Sequence, residues 1–285
     1  MTPKQDIAAA LGLAPEQSLE LLKALHIVTR DGAINQDSRR KLKQVRHLAQ
    51  FLQQPISAAL AQRGTVTLVD HGAGKSYFGF ILYDWFLRGT TAQVFGVETR
   101  AELVSKAQAL AASAGFSGMH FLHSTAADAV QSDALPEQVD IVTALHACNT
   151  ATDEALDFAL AKQAQTIALV PCCQAEVART LNQQKQRLLA QPTTELWRHP
   201  LHTRDYGSHL TNVLRCLRLE AHGYHVTVTE LVGWEHALKN ELILAERRQQ
   251  RSGSAQRRLR HLLESHGLED LQARFAVPTE DPTHG

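Results

Sequence analysis

Val66-Thr-Leu-Val-Asp70-His-Gly72-Ala-Gly74-Lys75-Ser76 is the stretch on which the fold turns. An apolar run meets an acid and then two glycines one residue apart, the pattern of a buried strand handing over to a helix through a tight turn. Around it, strand and helix patterns alternate. Strands are expected at Thr65–Val69, Gln93–Val97, Met119–Leu122, Val139–Ala144, Thr166–Val170, Tyr224–Leu231 and Glu241–Ala245. Helices are expected at Tyr77–Leu87, Arg100–Ala114, Thr150–Gln163, Gln174–Leu189 and Ser208–His222, with 191–205 irregular. Such alternation predicts an α/β fold with a mainly parallel sheet.

Three ligands compete for the glycine turn. Gly74-Lys75-Ser76 ends like a phosphate-binding Walker loop, but that loop needs a glycine where Val69 stands. A dinucleotide turn fits Gly72 and Gly74 but needs its third glycine at Tyr77, where a ring would hold helix and strand apart. The third candidate is S-adenosylmethionine, whose loops carry an acid two residues before G-x-G. Asp70-x-Gly72-x-Gly74 fits, and Ser76 stands where many such loops have another glycine. This cofactor has no phosphate, so bare backbone at Gly72, Ala73 and Gly74 lets it lie against the chain. Asp70 can orient the loop or the cofactor's cationic end. Glu98, which closes the next strand, is placed to accept both ribose hydroxyls. Its alternative role is an acid at the start of the helix that follows.

The rest of the chain bounds the biology. It has 285 residues, 44% hydrophobic and 20% charged, with 29 Lys+Arg against 29 Asp+Glu. That is an ordinary globular composition and excludes a wholly basic nucleic-acid binder. Four cysteines make no disulfide scaffold, and no apolar run reaches the ~20 residues of a membrane span. A cytoplasmic protein without a membrane partner is expected, and its oligomeric state stays open. Residues 1–36 outline two short helices and a hairpin with a turn at Asp31-Gly32, a winged-helix-like unit or else a packing cap or dimer arm. Residues 38–61 form a helix with a basic opening, Arg39, Arg40, Lys41 and Lys43, and an apolar face of Leu42, Val45, Leu48, Ala49 and Leu52. The tail carries Arg247, Arg248, Arg251, Arg257, Arg258 and Arg260 with no intervening acid. Three units are expected: 1–36, a main domain 37–248, and a basic helical tail 249–285.

DHGAGKSYFGFILYD, VDIVTALHACNTATDEAL and LVPCCQAEV, with GVETRAELV and LEAHGYHVTVTELVGWEHALKN, resemble one methyltransferase family. It includes the methyltransferase module of the glutathione S-transferase C-terminal domain-containing protein. A more remote resemblance is to a tRNA 2′-O-methyltransferase that also carries Pro-Cys-Cys. The resemblance covers roughly 38–248 and implies a Rossmann-like, seven-strand class I methyltransferase sheet, here with an N-terminal helical extension. It also implies an S-adenosylmethionine-dependent enzyme.

Leu145, His146 and Cys148 follow the fourth strand, and Cys172 and Cys173 the fifth. In an open parallel sheet these positions border the crevice. Leu145 is assigned to the cofactor, and His146, Cys172 and Cys173 to the chemistry. His146 has the pKa range of a general base. The cysteines are equally readable as small buried hydrophobes. Adjacent cysteines lack the spacing of a structural zinc site, so no metal is assigned. The acceptor expected first is RNA, with both basic segments around the crevice mouth. Protein or small-molecule methylation, or a silent RNA-binding scaffold, are the alternatives.

Overall fold

The structure, a computed structural model, describes residues 17–29, 36–145, 150–171, 174–188, 191–231, 241–248 and 251–277. Seven strands make one sheet: β1 (Thr67–His71), β2 (Gln93–Glu98), β3 (Met119–His123), β4 (Ile141–Leu145), β5 (Thr166–Val170), β6 (Tyr224–Glu230) and β7 (Glu241–Arg247). Their order is β3-β2-β1-β4-β5-β7-β6. β1 to β5 are parallel, and β7 runs antiparallel to both β5 and β6. The order reverses between β1 and β4, so the crevice of this sheet opens at the carboxyl ends of those strands, the upper rim. The expected Rossmann-like α/β class is the observed one.

Nine helices surround the sheet among the described residues: α1 (Leu19–Ala24), α2 (Gln36–Arg63), α3 (Tyr77–Leu82), α4 (Ala101–Ala114), α5 (Ala126–Val130), α6 (Thr150–Ala161), α7 (Glu176–Leu188), α8 (Pro200–Ala221) and α9 (Gly253–Ser265). Alternation along each strand sends its side chains to two separate cores. Leu68, Val94 and Ile141 face α1 to α4, while Val69, Val142 and Ile167 face α6 and the end of α8. With helices on both faces, β5 is buried along its whole length. A third core joins α7, α8 and α9 through Leu181, Leu214, Leu259 and Phe275.

The expected face of α2 is the buried one: Leu42, Val45, Leu48, Ala49 and Leu52 are all at most 4% exposed. α2 spans the full height of the sheet. Near its start, Gln44, Val45 and Leu48 meet Leu145 and Val170 at the upper rim. At its end Arg63 pairs with Asp140, whose other oxygen accepts the Thr67 N–H at 2.8 Å. The leucines of α1 are buried in the same core as α2, and the Ser18 N–H donates to Asp84 Oδ2 at 2.8 Å. The turn expected at Asp31-Gly32 lies outside the described residues.

Several boundaries differ from the sequence reading. β1 starts two residues later, at Thr67, and α5 lies in a stretch given no element. The helix at Tyr77 finishes as a π turn over Tyr83–Leu87. The stretch expected to be irregular contains a 3₁₀ turn, Pro192–Trp197, and the first turns of α8. Pro200 opens α8 at a position where its missing N–H costs nothing. The apolar stripe of α8 becomes continuous only from Leu210, which is why its start was hidden.

The two basic segments lie at opposite ends of the sheet. Arg39 and Lys43 are exposed in the first turns of α2, beside the upper rim. Antiparallel β7 carries the chain the other way, and the Arg247 N–H donates to Gln165 O at 2.9 Å, below the start of β5. The tail therefore leaves from the lower rim. The expectation that both segments surround the crevice mouth is corrected for the tail.

Candidate cofactor site

β1 delivers Asp70 and His71 to opposite faces of the sheet. Asp70 is 3% exposed and accepts a 2.6 Å hydrogen bond from Thr143 Oγ1 on β4, its register partner. Burial pushes its carboxyl up to about 7, against the smaller opposing effect of Thr143. His71 meets Phe158 of α6 edge-on, with ring centres 4.2 Å apart, and its Nε2 has no hydrogen-bond partner among the described residues. Burial pushes its imidazole down to about 3, so it is neutral.

The turn then crosses left-handed space three times, at Gly72 (φ +61°), Gly74 (φ +57°) and Ser76 (φ +50°). Glycine adopts this conformation without cost, whereas serine is strained in it. Ser76 is also buried, wedged between Gly79 and Gly96, with its hydroxyl unpartnered among the described residues. A Cβ at Gly79 would sit 2.8 Å from that hydroxyl. A Cβ at Gly74 would meet nothing closer than 3.8 Å, so at this position the backbone angle, not crowding, calls for glycine.

The loop is tied to β2 at two points. The Ala73 N–H donates to Val97 O at 3.2 Å and the Gly74 N–H to Glu98 Oε2 at 2.8 Å. Glu98 is 6% exposed and also accepts from Arg100: from its backbone N–H at 3.0 Å, Nε at 2.9 Å and Nη2 at 3.2 Å. Burial pushes Glu98 up, but these donors together outweigh it and hold the carboxyl below its usual range. It is an ionised, fully coordinated acceptor at the edge of the glycine turn.

Leu145 ends β4 and faces α2, Tyr77 and Phe78. His146, Cys148, Cys172 and Cys173 lie outside the described residues. The segments flanking them are anchored by a buried polar network. Arg215 of α8 donates Nε and Nη2 to the two Asp153 oxygens at 2.7 Å each, with both side chains at most 4% exposed. The Gln174 amide lies 2.8 Å from that of Asn212, whose Nδ2 donates to Glu241 Oε2 at 2.9 Å. Among the described residues, no group of three His, Cys, Asp or Glu side chains could hold a metal ion. No helix among them is long and apolar enough to cross a membrane.

Sequence reasoning missed Arg100, Thr143 and the Asp153–Arg215 pair. Thr143 was findable as a polar residue interrupting the apolar run Ile141–Leu145.

The strand order, the glycine turn and the acid closing β2 define a class I methyltransferase. Residues 40–180 match the family described as "Methyltransferase domain". The chain is an S-adenosylmethionine-dependent methyltransferase, and S-adenosylmethionine is its cofactor. No curated protein matches it in sequence. Among solved structures it is similar to a Corynebacterium glutamicum protein (15% identity, 87% of this chain and 99% of that one, TM-score 0.47). It is also similar to an S-adenosylhomocysteine-bound methyltransferase from Podospora anserina (12% identity, 86% and 95%, TM-score 0.45). A third is an rRNA methylase from Streptococcus thermophilus (9% identity, 71% and 95%, TM-score 0.42).

Proposed function

We propose that Asp70, Gly72, Ala73, Gly74, Glu98 and Leu145 hold the cofactor and that the acceptor is RNA. The observation behind the cofactor half is the bond from Gly74 N–H to Glu98, which joins the turn and the acid into one wall. S-Adenosylmethionine supplies an electrophilic methyl group on a sulfonium sulfur. The chain's part is to align it, since positioning provides much of the rate of a displacement. Glu98 accepts the ribose hydroxyls. Its acceptor positions are filled by Gly74 and Arg100, so the Arg100 side chain, 61% exposed, swings out to make room. Asp70 supports the turn from beneath, and His146 takes the proton that an oxygen or nitrogen nucleophile gives up. Cys172 and Cys173 are assigned to the same chemistry.

The RNA half is supported by Arg39 and Lys43 at the upper rim, within reach of a strand entering the crevice. The finer kinship is to the family that includes the glutathione S-transferase C-terminal domain-containing protein, working in the reducing cytoplasm. Residues 37–248 are its catalytic unit, with 1–36 and 249–285 as additions. A protein or small-molecule acceptor is the second reading, favoured by the departure of the arginine-rich tail from the crevice.

S-Adenosylhomocysteine at a hundredfold excess over Kd should stabilise the fold by about 2.7 kcal/mol, whereas ATP and NAD should not. A thermal shift with ATP alone would return the loop to the Walker class. Radiolabelled cofactor with fractionated extract then identifies the acceptor. Label in RNA, with a salt slope that flattens by about 0.7 for each phosphate contact removed at Arg39 or Lys43, supports the reading. Label confined to protein or small molecules rejects it.

A further inference from the structure

The lower rim carries a cavity of about 500 Å³ bordered by Gln163, His222, Tyr224, Arg247 and Arg251. It is lined by the turn after α6, the end of α8, the Tyr224–Arg247 end of the β6–β7 pair and the start of the tail. No carboxylate is among its described lining residues. The acids nearby are each engaged by another arginine: Glu246 by Arg248 at 2.8 Å, Asp157 by Arg218 at 2.6 Å and Glu220 by Arg258 at 2.5 Å. Among the described residues, Arg247 has only a 3.3 Å contact to the Gln163 carbonyl and Arg251 forms no ion pair. Arg251 is close enough to His222 to hold its imidazole further down, after burial and the Arg218 charge. Two guanidinium groups from separate segments thus converge on one concavity with their charge unanswered.

We infer that this cavity is a second binding site, for a phosphate or diphosphate group, separate from the cofactor crevice. Guanidinium forks match phosphate oxygens two at a time, and two forks on one wall match a group with several such oxygens. The volume falls in the range of small-molecule sites and exceeds the need of a lone carboxylate. The site lies the length of β7 from the upper rim, about 20 Å at ~3.3 Å per residue. The phosphate belongs either to a free phosphorylated metabolite or to a nucleic-acid backbone passing the lower rim.

The test uses the full-length protein, with inorganic pyrophosphate and a twelve-nucleotide single-stranded RNA as separate probes. Arg247→Gln/Arg251→Gln should weaken pyrophosphate binding at least tenfold, with melting temperature and S-adenosylhomocysteine affinity unchanged. Arg251→Gln alone, at an exposed side chain, should weaken it severalfold and covers the case where the double variant folds poorly. Loss of RNA affinity together with pyrophosphate identifies a backbone phosphate. Loss of pyrophosphate with RNA unaffected identifies a free ligand. The inference is overturned if the wild type binds neither probe, if the variants bind pyrophosphate as the wild type does, or if S-adenosylhomocysteine affinity falls in step.

Discussion

Asp70, one residue before the end of β1, and Glu98, at the end of the neighbouring parallel β2, are both nearly inaccessible, yet they hold opposite protonation tendencies. Asp70 has one hydroxyl partner, and burial wins. Glu98 has four nitrogen donors, and the donors win. Depth alone therefore does not decide whether a buried carboxyl is charged. The number of donors reaching it does. Asp153 is buried as deeply, and both of its oxygens accept from Arg215.

The hardest test of that rule is to strip Asp153 of its partner. Arg215→Met should cost about 3–5 kcal/mol in urea unfolding, because an uncompensated carboxylate stays inside. Removing both charges, with Asp153→Leu added, should recover most of the loss. A small effect of the single change would mean that water reaches Asp153.

The next effect is a pH dependence, read from two adjacent residues. Asp70 has a raised pKa, so its contribution is complete below about pH 4 and is lost as pH rises through about 7. His71 has a lowered pKa, so its contribution is complete above about pH 6.5 and is lost as pH falls through about 3. Each is worth up to about 4 kcal/mol by linkage, and the two slopes oppose each other between about pH 4 and 6.5. Denaturation across that window should therefore be nearly flat for these two groups. Asp70→Asn should expose a stability that falls toward acid, and His71→Gln one that falls toward neutral. Parallel curves for the wild type and Asp70→Asn would show that Asp70 is ionised throughout.

Glu98→Ala should weaken S-adenosylhomocysteine binding by about 1.5–3 kcal/mol, read by calorimetry, if two charge-assisted hydrogen bonds to the ribose are lost. Unchanged affinity would reduce Glu98 to a clasp for the glycine turn. Ser76→Gly is the smallest effect and the opposite in sign. It relieves left-handed strain and an orphaned hydroxyl, partly offset by glycine's extra unfolded-state freedom, for a net gain of about 1 kcal/mol. A loss of stability would mean that Ser76 packs better than its backbone angle suggests.

How much of this was legible in the chain varies with the distance between partners. β5 was read to the residue because both of its faces are buried, which makes a short apolar run with sharp ends. The glycine turn was legible because its acid and glycines lie within five residues of one another. Arg100 closing on Glu98 was not, since a charged residue two places after an acid has no pattern of its own. The Asp153–Arg215 pair joins residues 62 apart in sequence, and only the packing of α8 on α6 brings them together. The arginine-rich tail was misplaced for a related reason. Charge runs are visible in a sequence, but which end of the sheet they reach depends on the direction of β7, and residue types do not carry that.

Asp140 has a practical consequence for anyone cutting this chain. One carboxylate ties the end of α2 to the start of β1, immediately before β4 begins. A fragment trimmed to begin at Gly64 would keep every strand and the whole glycine turn. It would nonetheless remove Arg63 from that tie and delete Leu42, Val45, Leu48, Leu52 and Ile56, each contributing roughly 1.5–3 kcal/mol through burial, which uncovers Leu68, Val94 and Ile141 of the core they share. The minimal soluble piece of this enzyme therefore starts before α2, some thirty residues upstream of where its sheet begins.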